Sequence, residues 1–270
     1  MKFNKHLLAS YLFPIANRLL SPLNLKLSTK NTPNRDFGSF IGHLKRLNYH
    51  IKTVIDVGIA YGTPALHKFL PEAKFYLVEP VPHCLPLLKK LENTIGATTH
   101  NVAAGAEDSE IEFFLHDDIS GSSCLRQWEG ESFDGKKITV PLRRLDTLIP
   151  QTIARPSLLK IDTQGNELEV LKGSKELLDK IDILIIETSF HEFRKGAPEI
   201  HEIISTMVDL GYRCYEVLEG HYRAIDNALA QVDIAFVKHD SQLRSSKCFF
   251  SEEQLEDYLS KPNPQALINI

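Results

Sequence analysis

From residue 52 onward the chain alternates short runs of apolar and β-branched residues with stretches suited to helices. The runs are "TVIDVG" (53–58), "FYLVEP" (75–80), "TTHNVA" (98–103), "SLLKID" (157–162), "ILIIET" (183–188), "RCYEVL" (213–218) and "IAFVKH" (234–239). Helix candidates lie between several of them, at 63–70, 81–93, 166–180 and 198–210. Continuous rather than alternating hydrophobicity in a strand means that both of its faces are covered. The pattern therefore predicts an α/β fold, a seven-stranded, mostly parallel open sheet with helices on both faces. The last two runs are close enough to form an antiparallel pair. At 270 residues the chain has room for one such domain with appendages. We divide it into residues 1–50 (helical and partly basic), a main domain over 51–240, and a C-terminal helix and tail over 241–270.

Between the third and fourth runs the expected helix is replaced by "EIEFF" and "KITVP", which predict two extra strands. They flank "ISGSSCLRQWEGESFDG" (119–135), a long loop of the kind that is usually functional inside a compact domain.

In a doubly wound sheet, ligands bind beyond the carboxyl ends of the central strands, so the turn after the first run is the place to look. A dinucleotide fingerprint beginning at Gly58 would need glycines at 60 and 63, where this chain has Ala60 and Thr63. The second glycine lets the backbone approach a pyrophosphate, and an Ala methyl obstructs it. The nicotinamide and flavin reading fails there. The spacing instead is acid-x-Gly-x-small-x-Gly over Asp56, Gly58, Ala60, Tyr61 and Gly62. It suits S-adenosylmethionine, which has no phosphate but has a cationic ammonium and sulfonium. Asp56 suits the ammonium, directly or through water. Glu79, at the end of the second run and followed by Pro80, can accept hydrogen bonds from both ribose hydroxyls. In "NVAAG", Asn101, Ala103 and Ala104 leave room for a flat adenine. Taken singly, a D-x-G is common at strand ends and Glu79 can cap the helix after Pro80; together, on consecutive strands, they point to the methyl donor.

The stretches "TVIDVGIAYG", "VEPVP", "NVAAGAEDSEIEFF", "GSSCL", "ITVPLRRLDTL", "LLKIDTQGNELEVLKG" and "ILIIETS" resemble the FkbM family of S-adenosylmethionine-dependent methyltransferases. They span residues 53 to 189. The family usually has Asn where this chain has Ala60–Tyr61, and Glu where it has Gln164. The resemblance implies a class I (Rossmann-like) methyltransferase fold with an inserted hairpin between strands three and four. It also implies O-methylation of a hydroxyl on a small molecule or glycan.

An alcohol is a poor nucleophile, and a general base or a metal would lower its pKa. In "LLKIDTQG" the period of two puts Lys160 and Asp162 on one side, with Asp162 at the strand tip. Lys160 then needs a carboxylate partner, for which Asp56 and Glu187 are candidates. Asp162 and His191, just after Glu187, are the candidate bases; a surface loop position is the plainer reading of His191. Mg2+ between acceptor oxygens would suit the chemistry, but no acids stand at a ligand spacing that demands it. Ser122 and Ser123 belong to the inserted loop, which we expect to close over the methionine end. Trp128 in the same loop serves either as a face for a sugar ring or as a hydrophobic plug. Arg143 and Arg144 suit an anionic acceptor or, more simply, a solvated helix start.

The net charge of −4 provides no global field for nucleic acid. The four cysteines are scattered, without a C-x-x-C, and read as reduced thiols of a cytoplasmic protein. Residues 1–35 carry six Lys and Arg and no acid, around the apolar stretch "LLASYLFPIANRLL" (7–20), which Pro14, Asn17 and Arg18 make unfit to span a bilayer. The first reading is a helix packed on the domain edge; the alternatives are a peripheral contact with an anionic membrane surface and a cleaved leader. Two functional alternatives stay open: a non-catalytic S-adenosylmethionine-binding subunit, and an N- or protein-directed methyltransferase, which the "DTQG" after the fourth run disfavours.

Overall fold

The computed structural model describes residues 35–260, together with Ala16 and residues 18–20. Most of the apolar stretch at 7–20, and the tail beyond Ser260, lie outside the described residues, and so do the readings made of them.

Each of the seven runs forms a strand of one sheet. β1 (Thr53–Val57), β2 (Lys74–Val78), β3 (Thr98–His100), β7 (Ser157–Ile161) and β8 (Ile183–Ser189) are parallel, and β9 (Tyr212–Tyr222) and β10 (Leu229–Lys238) close one edge as an antiparallel hairpin. The order is β3-β2-β1-β7-β8-β10-β9, so β10 slots between β8 and β9. The first crossover leaves β1 and returns to β2 on one side, whereas β7 follows on the other. The ends of β1 and β7 thus flank the point where the strand order reverses, and a crevice opens there.

Every residue of β1 and β7 is buried. Val54, Leu158, Ile183 and Ile185 point to one face, against the helices Phe37–Arg46, Pro64–Phe69 and Leu85–Ile95. Ile55, Leu159, Leu184 and Ile186 point to the other, against Glu167–Lys172, Lys175–Leu178 and Ile200–Asp209. Phe37, Phe40, Ile41 and Leu44 belong to the first of these cores, so the helix at 37–46 is part of the main packing unit although it precedes residue 50. The helix Ile200–Asp209 begins with a capping box between Glu199 and Glu202, which satisfies two free N–H groups at once. Among the described residues no helix is long and apolar enough to cross a membrane.

Two expectations need correction. The run 98–103 is not one strand. β3 ends at His100, and the chain resumes as β4 (Ala103–Ala104) in a second sheet of order β4-β6-β5. Asn101 makes the break, because its side-chain amide donates to the carbonyls of Glu79 and Val81, at 2.7 and 3.4 Å, and bends the backbone off the main sheet. The helix expected at 166–180 is two short helices, 167–172 and 175–178. A Cβ on Gly173 would lie 1.9 Å from the carbonyl oxygen of Gly105, so the helix must give way where the second sheet comes close. The inserted strands are β5 (Ser109–Leu115) and β6 (Lys136–Arg143), an antiparallel pair. Their Phe113, Val140 and Leu142 pack with Val81, Cys84 and Ala103 in a small core of their own.

Candidate functional site

A cleft at the carboxyl ends of β1, β2 and β7 is lined by Gly58, Ala60, Glu79, Pro80, Ala103, Ala104, Ser122 and Asp162, all expected from the sequence. It encloses about 480 Å³ counted out to its open mouth. Val81, Val102, Phe113, Ile119, Cys124 and Gln164 also line it; sequence reasoning did not assign them to the site, because the first five are apolar or lie on the inserted hairpin and Gln164 stood out only as a departure from the family pattern.

Gly58 has φ +80, and a Cβ there would overlap the Asp162 carbonyl oxygen at 1.7 Å. The two strand ends can meet because this residue has no side chain. Glu79 is buried and accepts from the backbone N–H of Ala60 and of Val81, both at 2.8 Å. It therefore both fastens the turn and caps the chain after Pro80. Burial raises its pKa, and those two N–H groups oppose the rise. Each of its oxygens keeps a lone pair for a further donor.

Asp56 lies below the cleft floor. It is fully buried, and neither carboxylate oxygen has a hydrogen-bond partner. Burial raises its pKa, while Lys160, the Thr63 hydroxyl and His67 act in the opposite direction. Lys160 is also buried, and its partner is neither Asp56 nor Glu187: Nζ donates to Asp162 Oδ2 at 2.9 Å. The reason is the strand period, which puts Asp162 directly beyond Lys160 on the same face. Burial pushes the Asp162 pKa up, but the ammonium of Lys160 and the hydrogen bonds from Lys160 and Gln164 outweigh it and hold it below the usual value.

Gln164, in the left-handed region at φ +56, turns its amide to both acids: Nε2 donates to Asp162 Oδ1 at 3.1 Å and to Glu187 Oε2 at 2.6 Å. Gln231 of β10 adds a second donor to Glu187 Oε2 at 3.0 Å. Glu167 accepts from the N–H of Thr163 and Gly165 and from the Thr163 hydroxyl, which fixes the turn that carries Gln164.

The inserted loop covers this region. Ser123 donates to the Gln164 carbonyl at 2.8 Å, Ser122 accepts from the His116 N–H, and Arg194 Nη2 reaches the Gly121 carbonyl at 2.8 Å. Trp128 is not a plug. It is 56% exposed, with Lys195 Nζ 5.5 Å above its ring. Arg143 donates to the Ser109 and Leu142 carbonyls and Arg144 faces Asp108, so both fasten the hairpin and neither lines the cleft.

Besides Asp56, four expected positions stand apart from the cleft wall. Tyr61 borders a neighbouring hollow with His83 and His116. Gly62 continues the turn at φ +95. Asn101 acts on the backbone of Glu79, as described above. His191 packs edge-on against Phe193, with ring centroids 5.6 Å apart. Among the described residues no group of three or more His, Cys, Asp and Glu is arranged to hold a metal ion.

The residues present fit an adenosyl cofactor. Val81, Val102, Ala103, Ala104 and Phe113 make an apolar slot, Glu79 stands beside it with unused lone pairs, and the orphaned Asp56 and the ionised Asp162 bias the far end toward a cation.

A family profile described as "Methyltransferase FkbM domain" matches residues 56–214. "Methyltransferase 1" of Beauveria bassiana (strain ARSEF 2860) is 24% identical over 157 residues, which is 50% of this chain and 63% of that protein. "2-O-methyltransferase NoeI" of Sinorhizobium fredii (strain NBRC 101917 / NGR234) is 26% identical over 172 residues, 57% of this chain and 70% of that protein. Among solved structures, 1,6-didemethyltoxoflavin-N1-methyltransferase of Burkholderia thailandensis is 9% identical with a TM-score of 0.40, covering 76% of this chain and 77% of that one. The chain thus spans somewhat less than two thirds of the first relative and somewhat more of the second.

Proposed function

Since the chain belongs to the FkbM methyltransferase family, we propose that it transfers a methyl group from S-adenosylmethionine to a hydroxyl of a small molecule or glycan. The observation that carries this reading is the convergence of Glu79 and Asp162, from the tips of β2 and β7, on one cleft floored by the Gly58 turn. When bound, the cofactor supplies a methyl carbon already activated by a sulfonium. The protein has then to align, desolvate and accept a proton.

Glu79 takes the ribose hydroxyls. The slot between Val81, Val102 and Phe113 takes the adenine. The backbone of Gly58 and Ala60, with Asp56 beneath, faces the methionine end. Asp162, oriented by Lys160 on one oxygen and Gln164 on the other, receives the acceptor hydroxyl. His191 is the second candidate for that task; its position outside the cleft wall favours Asp162. The loop at 119–135 keeps water from the methyl group. Oxygen as the target is supported by the relative whose name is a 2-O-methyltransferase and by the lack of an amide-binding Asn-Pro-Pro-Tyr-like stretch after β7, where "DTQG" stands.

Calorimetric titration with S-adenosylhomocysteine tests the cofactor. Wild type should bind, and Glu79→Ala should weaken binding by about 10- to 100-fold, the worth of one or two hydrogen bonds to a charged group. No heat with wild type would remove the methyl-donor reading. Retained affinity in the variant would remove Glu79 from the ribose.

A further inference from the structure

β7 and β8 run parallel with Ile161 opposite Ile186, so Asp162, just past the end of β7, and Glu187, still within β8, come side by side. Both belong to a polar row on one face of the sheet that includes the buried Lys160 and the half-buried Asp233. Gln164 divides the two hydrogens of its amide between the pair, one to each carboxyl group. Gln231 gives Glu187 Oε2 a second donor, which leaves Oε1 as the atom free to carry a proton.

The charges facing the pair do not allow two anions. Lys160 is committed to Asp162. Arg194 lies near Glu187 with its Nη2 on the Gly121 carbonyl, and among the described residues no cation makes a salt bridge to Glu187. Glu167 from the following helix and Asp233 from β10 add negative charge beside Glu187, and Glu79 and Asp56 add it beside Asp162. Two adjacent carboxylates so placed share one proton rather than ionise together.

We propose that Glu187 is a positioning residue that holds the single proton of an Asp162–Glu187 carboxyl pair and so keeps Asp162 the anionic, proton-accepting member. The proposal rests on the methyl-transfer reading for its role, though not for its existence. In the reaction the acceptor hydroxyl gives its proton to Asp162, its oxygen pair forms the bond to the methyl carbon, the carbon–sulfur pair returns to sulfur, and the proton then passes to water. Burial first, and then repulsion from Asp162, Glu167 and Asp233, hold the Glu187 pKa well above the carboxylate range.

The test needs no acceptor substrate. Thermal unfolding of the full chain is measured from pH 5 to pH 8 for wild type, Glu187→Gln, Asp162→Asn and the double variant. A folded state that retains a proton the unfolded chain has released loses stability as pH rises. Glu187→Gln, a neutral stand-in for the protonated acid, should therefore gain on wild type with rising pH, by about 3 °C or more at pH 8. In the Asp162→Asn background, where the neighbouring charge is gone, that gain should fall by at least about half. A difference that is constant with pH, or a gain of the same size in the Asp162→Asn background, overturns the proposal. Should Glu187→Gln fail to fold, the carboxyl 13C resonance of Glu187 in labelled wild type decides: protonated at pH 7 supports the shared proton, ionised at pH 7 overturns it. Titration of wild type with S-adenosylhomocysteine separates this result from failure of the cofactor reading, since unfolding and 13C data stand without any ligand.

Discussion

Gly58 and Ala60 sit two residues apart in one turn and carry opposite lessons. Gly58 is required by space: any side chain would meet the Asp162 carbonyl carbon and oxygen at 2.8 and 1.7 Å. Gly58→Ala should cost about 3 kcal/mol or more, read by chemical denaturation, because neither strand end can retreat. Ala60, at φ +42, occupies a conformation that L side chains resist while its N–H serves Glu79. Ala60→Gly should thus stabilise by about 0.5–1 kcal/mol in the same assay. This is also where the family usually carries Asn, which tolerates the left-handed region. Gln164 holds two acids apart with two N–H bonds. Gln164→Glu removes both donors and adds a third carboxyl group, so it should destabilise by about 3 kcal/mol at pH 8 and by much less at pH 5, where a proton restores one donor.

At the scale of elements, the insertion is a second sheet that brings its own core and a roof. β5 and β6 are held by Phe113, Val140 and Leu142, whereas the loop between them depends on individual hydrogen bonds, above all Ser123 to the Gln164 carbonyl and Arg194 to the Gly121 carbonyl. Deleting 119–135 should leave the far-ultraviolet circular dichroism of the sheet intact and abolish turnover; wild-type rates in the deletion would mean that the loop is not a roof. Ser123→Ala should lower the thermal midpoint by a few degrees at most and speed proteolysis within 119–135, since the tie to the Gln164 carbonyl and the bond from the Leu125 N–H are lost and no core is opened. The break of the 166–180 helix at Gly173 belongs to this scale too. It follows from the approach of the Gly105 backbone, a contact between parts of the chain far apart in sequence.

For the molecule as a whole, the buried acids set the response to pH. Asp56, Glu79, Glu167, Glu187 and Asp233 all have raised pKa values, Asp233 to about 7, and burial is the largest cause in each. Above the usual carboxylate range the folded state holds protons that the unfolded chain has lost, so stability falls as pH rises, for Asp233 up to about 7. Asp162, whose pKa is lowered, gives the opposite limb, lost as pH drops below the usual carboxylate value. Asp233→Asn should accordingly raise the thermal midpoint at pH 8 and change it little at pH 4, as measured by calorimetry.

What the amino-acid order determined by itself is local. The continuous apolar runs marked the strands, Gly58 and Glu79 marked the turn and the next strand end, and the period of two put Lys160 beside Asp162. These properties depend on residues within a few positions of one another, and the backbone repeat converts them into faces and ends. The tertiary structure decided who meets whom across the sheet. β10 enters between β8 and β9, and only that brings Gln231 and Asp233 to Glu187; the hairpin folds back, and only that puts Phe113 and Ile119 over the cleft. Strand order and the path of an insertion are settled by which faces can be buried together, a sum over the whole chain that no local pattern contains. For that reason the cleft beyond β1, β2 and β7 was legible from its motifs, while the grouping of acids beside it was not.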